Sequence, residues 1–148
     1  MKLSIKQIVN KLDKSGYCIV KNILSKKACN QIKLSIENTF NKTKLNKFFK
    51  DEVSKQGQVV IRDLILLEPK KFLPLLNISL IHKVLPKIFN EKYILDNFMA
   101  SNSIKIKNKY KALVHIDSHL PAKDIKNTSD VVVLLCLDEF TKENGCTK

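Results

Sequence analysis

The triplet His115-Ile116-Asp117 lies within the stretch Ala112-Leu113-Val114-His115-Ile116-Asp117-Ser118-His119. On an extended chain successive side chains alternate between faces, so His115 and Asp117 project the same way. An imidazole and a carboxylate on one face are two of the three donors of the two-His-one-carboxylate site, which holds ferrous iron and leaves its other positions open for co-substrate and oxygen. Taken alone, the triplet is weak evidence and reads rather as a histidine hydrogen-bonded to a loop beside a surface aspartate. Its setting decides. A strand is predicted to end at the triplet, a polar loop follows from Pro121 to Ser129, and a long apolar run, Val131 to Leu137, leads into Asp138-Glu139-Phe140-Thr141-Lys142-Glu143-Asn144-Gly145.

The elements that must position this pair are legible as patterns. Ser4 followed by Ile5, Ile8, Val9 and Leu12 reads as a capped amphipathic helix ended by Lys14-Ser15-Gly16. Gly16 to Asn22 reads as a short strand. Ser25 is the expected N-cap of a second helix running to about Phe40, with Ala28, Cys29, Ile32 and Ile36 inward. Asn41 to Lys55 reads as a charged surface excursion in which Leu45, Phe48 and Phe49 could form part of a lid, and Gln58 to Leu64 as a strand edge. From Pro69 to Asn90, three prolines punctuate short helical segments expected to pack outside a sheet. Four strands are then expected: Tyr93 to Met99, Ser101 to Ile106, Lys111 to Asp117 and Asp130 to Asp138. Asn144-Gly145 is a tight-turn dipeptide.

Composition bounds the rest. With 148 residues, 44% of them hydrophobic, the chain is expected to form one domain, residues 1–148. It has no apolar run long enough for a membrane span and no signal-peptide pattern at Met1 to Lys6, so a cytoplasmic, membrane-free chain is expected. Cys18, Cys29, Cys136 and Cys146 lack C-x-x-C spacing and read as reduced thiols, with Cys18 and Cys136 expected in the core. The net charge of +13 raises a nucleic-acid-binding module as an alternative. Against it, Arg62 is the only arginine and the lysines are dispersed from end to end. No nucleic-acid partner is therefore expected. A metal-free β-helix domain with a binding or structural role is a further alternative.

The ordered series of motifs resembles the phytanoyl-CoA dioxygenase family of iron(II)- and 2-oxoglutarate-dependent oxygenases. The matching features are the glycine-aromatic opening Gly16-Tyr17-Cys18-Ile19-Val20-Lys21-Asn22-Ile23-Leu24-Ser25, the His115-Ile116-Asp117 triplet, the apolar strand Val131 to Asp138, and the turn Glu143-Asn144-Gly145. The resemblance implies an α+β chain built on a double-stranded β-helix, a cupin-like jelly roll with N-terminal helices. It implies His115 and Asp117 as iron ligands, with Fe(II) as cofactor, 2-oxoglutarate as co-substrate, and molecular oxygen and a small organic molecule or acyl thioester as reactants. Asp117 favours hydroxylation, because halogenating relatives lack that carboxylate. Asn102 and Ser101 are candidate contacts for the co-substrate, an ordinary strand-end amide and hydroxyl being the alternative.

In the family a distal histidine and a basic residue that clamps 2-oxoglutarate follow the Asn-Gly turn, whereas this sequence stops at Lys148. The expectation is accordingly an N-terminal portion whose barrel is truncated at the C-terminus and which is inactive alone. Two other histidines are weaker candidates. His119 is expected at the substrate side or exposed to solvent, and His82, among Leu80, Ile81 and Val84, as a satisfied structural histidine.

Overall fold

The computed structural model describes residues 3–42, 50–51, 58–89, 92–103, 128–141 and 143–144. Helix α1 spans Ile5–Ser15 and is closed at both ends. At its start the Ser4 hydroxyl accepts from the Gln7 N–H at 3.2 Å, and the Gln7 side chain accepts from the Ser4 N–H at 2.8 Å, a reciprocal capping box. At its end Gly16 takes φ +74°, a left-handed conformation that glycine adopts without a Cβ penalty, and donates to the Leu12 carbonyl. Ile8 is buried, with Ile5, Val9 and Leu12 half-buried around it. The predicted inner face is the observed one.

Helix α2 spans Lys26–Lys42, with Ser25 Oγ accepting from the Ala28 N–H at 3.1 Å as the expected cap. Its partly buried stripe runs through Ala28, Cys29, Ile32, Ile36 and Phe40. Thr39, 2% exposed, is accommodated there because its hydroxyl donates to the Ser35 carbonyl one turn back.

Three strands form one antiparallel sheet, in the order β1 (Lys50–Asp51), β2 (Gln58–Ile61), β3 (Ala100–Ser103). The register sets Ile61 opposite both Lys50 and Ala100, and Val59 opposite Asn102. The segment read from sequence as an edge is therefore central. It stops at Ile61 because Asp63 turns left-handed, φ 53°, which a short polar side chain tolerates. From there α3 (Leu64–Leu67), which the sequence did not announce, leads into α4 (Pro69–Leu76) and α5 (Ser79–Ile88), the short helices expected from the proline spacing. The Leu64 N–H donates to the Phe98 carbonyl at 3.2 Å, tying the start of α3 to the approach to β3.

The core forms where this helical layer meets the sheet. Ile61, Leu64 and Phe72 are buried together, with Ile36 and Phe40 of α2 and Phe98 and Ala100 around β3 packed against them. A second contact sets α1 on α5, where Ile8 and Val84 are buried.

Four expectations are corrected. Residues 17–22 form no strand: Tyr17 and Ile19 are 66% and 72% exposed, and Asn22 takes φ 59°, which ends an extended run. Residues 93–99 form none either, and the strand expected at 101–106 appears as β3 from Ala100. The apolar run 131–137 is also without strand assignment, with Val132, Val133 and Leu134 exposed. In each case β-forming side chains supply a preference, whereas a strand requires a ladder partner, and among the described residues these segments have none. Cys136 is exposed with that run and Cys18 is only half-buried, so neither is a core hydrophobe.

Candidate functional site

β3 carries the two residues singled out for the co-substrate. Ser101 lies opposite Val60 and Asn102 opposite Val59, and both are exposed. Neighbours on a strand project to opposite faces, so a pocket on one side of the sheet is reached by one of them and not by both. His115, Asp117 and His119 lie outside the described residues, as do the strand expected at Lys111 to Asp117 and the loop around Pro121.

His82 is described, and it is exposed on α5. The expectation of a satisfied structural histidine fails because the inward face of that helix is set by Val84, two positions on and thus roughly 200° around the axis. Among the described residues no three histidine, cysteine or acidic side chains converge as a metal-binding group. Two open clefts, about 390 and 340 Å³, run along α1 and the Tyr17 to Ile19 segment and contain none of the candidate residues.

Beyond the stretch that bears the triplet, a long-range contact joins the segment 128–141 to the helical layer. Lys33 of α2 donates to Asp138 at 2.6 Å. The hydrogen bond to Asp138, followed by its negative charge, raises the Lys33 ammonium above its ordinary pKa of 10.5. No local pattern in the sequence signals this pairing, since the partners are 105 residues apart.

The turn that follows is held by Asn144. Its Oδ1 accepts from the Thr141 N–H at 2.8 Å, its Nδ2 donates to the Glu139 carbonyl, and its own N–H reaches the Thr141 carbonyl at 3.3 Å. The described turn is built by the asparagine side chain closing on the backbone before it, and Gly145 of the Asn144-Gly145 dipeptide lies outside the described residues. Glu143 in the same turn has its carboxyl held below the ordinary 4.5 by a hydrogen bond from Thr141.

The ordered features therefore run from the α1 boundary through α2, the central sheet, the triplet and the Asn144 turn, and the sequence comparison covers the same span. Residues 12–148 match the family model for phytanoyl-CoA dioxygenase. No curated protein and no solved structure matches the chain significantly. Among the described residues no helix is long and apolar enough to cross a membrane. That family is one of cupin-like fold and dioxygenase activity, with oxygen and a small-molecule substrate as its reactants, and a match over almost the whole chain places this protein in the phytanoyl-CoA dioxygenase family.

Proposed function

We propose that this chain contributes to an iron(II)- and 2-oxoglutarate-dependent hydroxylase acting on a small organic molecule or acyl thioester, on a double-stranded β-helix. The observation that carries the reading is that His115-Ile116-Asp117 falls inside the matched span, between β3 and the Asn144 turn, in the order the family requires. The donor set fits the metal: a neutral imidazole nitrogen and a hard carboxylate oxygen are the pairing that suits ferrous iron, and softer thiolate donors are not part of the triplet.

In this reading His115 would hold the metal through one ring nitrogen, and Asp117 would offset part of its positive charge. One of Asn102 and Ser101 would donate to a carboxylate of 2-oxoglutarate from β3. Iron with 2-oxoglutarate supplies the oxidising chemistry, and the protein supplies orientation and exclusion of water. With Asp117 as a ligand, a halide would find no place on the metal, so hydroxylation is the expected outcome.

The test is anaerobic Fe(II) titration of the intact protein, with succinate release as a second readout. His115→Ala and Asp117→Ala should each abolish ferrous binding and 2-oxoglutarate turnover while leaving the far-UV circular dichroism unchanged. If the wild-type protein takes up no iron, or the double variant binds it as well as wild type, the reading is overturned.

A further inference from the structure

We infer that the groove between α1 and the segment Tyr17 to Lys21 is a docking site for an acidic peptide segment, held in extended conformation along that segment. The two clefts on this side of the molecule adjoin, since Leu3, Lys11 and Ser15 line both. Lys11 and Lys14 stand one turn apart on the helical wall, and among the described residues no carboxylate lines either cleft. Asp13, the one acidic residue of α1, lies on another face, two positions from Lys11 and thus roughly 200° around the axis.

The opposite wall is apolar and regular. Burial alternates along it: Cys18 and Val20 are half-buried, whereas Tyr17, Ile19 and Lys21 are exposed, which is the period of an extended chain. Among the described residues its backbone has no ladder partner. Exposed apolar side chains rimmed by charge mark an interaction surface. An extended segment outside a ladder can take a further strand, with main-chain hydrogen bonds supplying affinity and alternate side chains supplying selectivity.

Charge selects the occupant. The chain carries a formal net charge of +13, so a second copy would bring like charge to a lysine-lined groove, and a segment rich in Asp and Glu brings the opposite. Other anionic partners fit less well. Tyr17 is the one aromatic side chain of the groove and Arg62, the only arginine, is not part of it, so nucleic-acid bases find neither a stacking platform nor a bidentate reader. A membrane surface would need an apolar helix face to insert, and that of α1 is turned inward onto α5 through Ile8. An acidic peptide uses all three features at once: apolar side chains against Tyr17 and Ile19, carboxylates toward Lys11, Lys14 and Lys21, and backbone along residues 17–21.

The test is fluorescence anisotropy of the full chain with a labelled eight-residue peptide of alternating glutamate and valine. Binding should weaken about tenfold in the Lys11→Gln, Lys14→Gln double variant, and by a similar factor between low and high salt, because the ion pairs concerned are exposed and screened. Tyr17→Ser with Ile19→Ser should weaken it as well. All four substitutions alter exposed side chains, and unchanged far-UV circular dichroism verifies that the fold is intact. A peptide with lysine in place of glutamate should not bind. One with proline in place of valine should lose binding although its charge is kept, since proline has no N–H to add to a strand. The inference is overturned if the glutamate peptide does not bind, if its binding ignores the lysine substitutions, or if either control peptide binds equally well. It is also overturned if single-stranded DNA or phosphatidylserine vesicles bind more tightly through Lys11 and Lys14, which would make the groove a general polyanion surface.

Discussion

Phe72→Ala tests whether the junction of helices and sheet is the seat of stability. The side chain is 1% exposed and buried with Ile61 and Leu64, and its ring centroid lies 6.4 Å from that of Phe98 at 53°. Truncating a buried phenylalanine costs about 3–5 kcal/mol, combining lost transfer energy with the cavity left behind. Of this, roughly 0.5–1.5 kcal/mol belongs to the tilted ring pair. Against a typical domain stability of about 5–15 kcal/mol, the variant should be severely weakened. Phe72→Leu, which keeps most of the packing, should lose only about 1–1.5 kcal/mol. The chain has no tryptophan, so urea unfolding followed by far-UV circular dichroism is the appropriate assay. A fall in midpoint at unchanged slope is the expected result. If Phe72→Ala lost less than about 1 kcal/mol, this junction would not be the core and the packing argument would be refuted.

The helix caps give smaller, separable effects. Ser4→Ala should cost about 1 kcal/mol through loss of the capping box. Gly16→Ala should cost about 1 kcal/mol from backbone strain alone, because an added Cβ meets nothing within 4 Å. The Lys33–Asp138 pair should show as a pH and salt dependence. Since the folded-state pKa of Lys33 is raised, its stabilisation is fully present below the unfolded value of 10.5 and is lost as pH rises through the folded value. Lys33→Met should abolish that alkaline component, and added salt should shrink it in the wild type. Glu143 has the opposite sign. Its lowered pKa gives stabilisation that is present above 4.5 and lost as pH falls through the folded value, so Glu143→Gln should flatten the acid limb of the unfolding curve.

What was legible in the sequence was local. Ser4, Gly16 and Ser25 announced the ends of α1 and the start of α2 because caps act within one turn. The proline-spaced helices were readable for the same reason, their determinants lying within a few residues. The strand expectations fared worse, because β-forming side chains at 17–22 and 131–137 say nothing about which segment pairs with them. Val59 to Ile61 has the same character as those runs and is a central strand because Lys50–Asp51 and Ala100–Ser103 flank it. Periodicity could not place His82 either, since an apolar neighbourhood in sequence is not a buried face on a helix. The His115 and Asp117 pairing was legible only as spacing plus order.

The described anchors bear on that pair nonetheless. Residues 104–127, which carry both proposed ligands, run from one fixed point to another. Upstream, β3 is laddered to β2 through Ser103, and β2 ends at Ile61 in the core. Downstream, Asp138 is held by Lys33, and the Asn144 turn closes just beyond it. The two anchors differ in kind. The upstream one rests on backbone ladder bonds and a buried core, and its loss propagates into global stability. The downstream one is an exposed ion pair, which solvent screening keeps weak. It contributes little to folding, yet it links α2 to the chain segment that follows the ligands. A weak, specific contact in that position serves register better than stability: it selects where 128–141 lies on the helical layer, while Ile61, Leu64 and Phe72 decide whether that layer holds together at all.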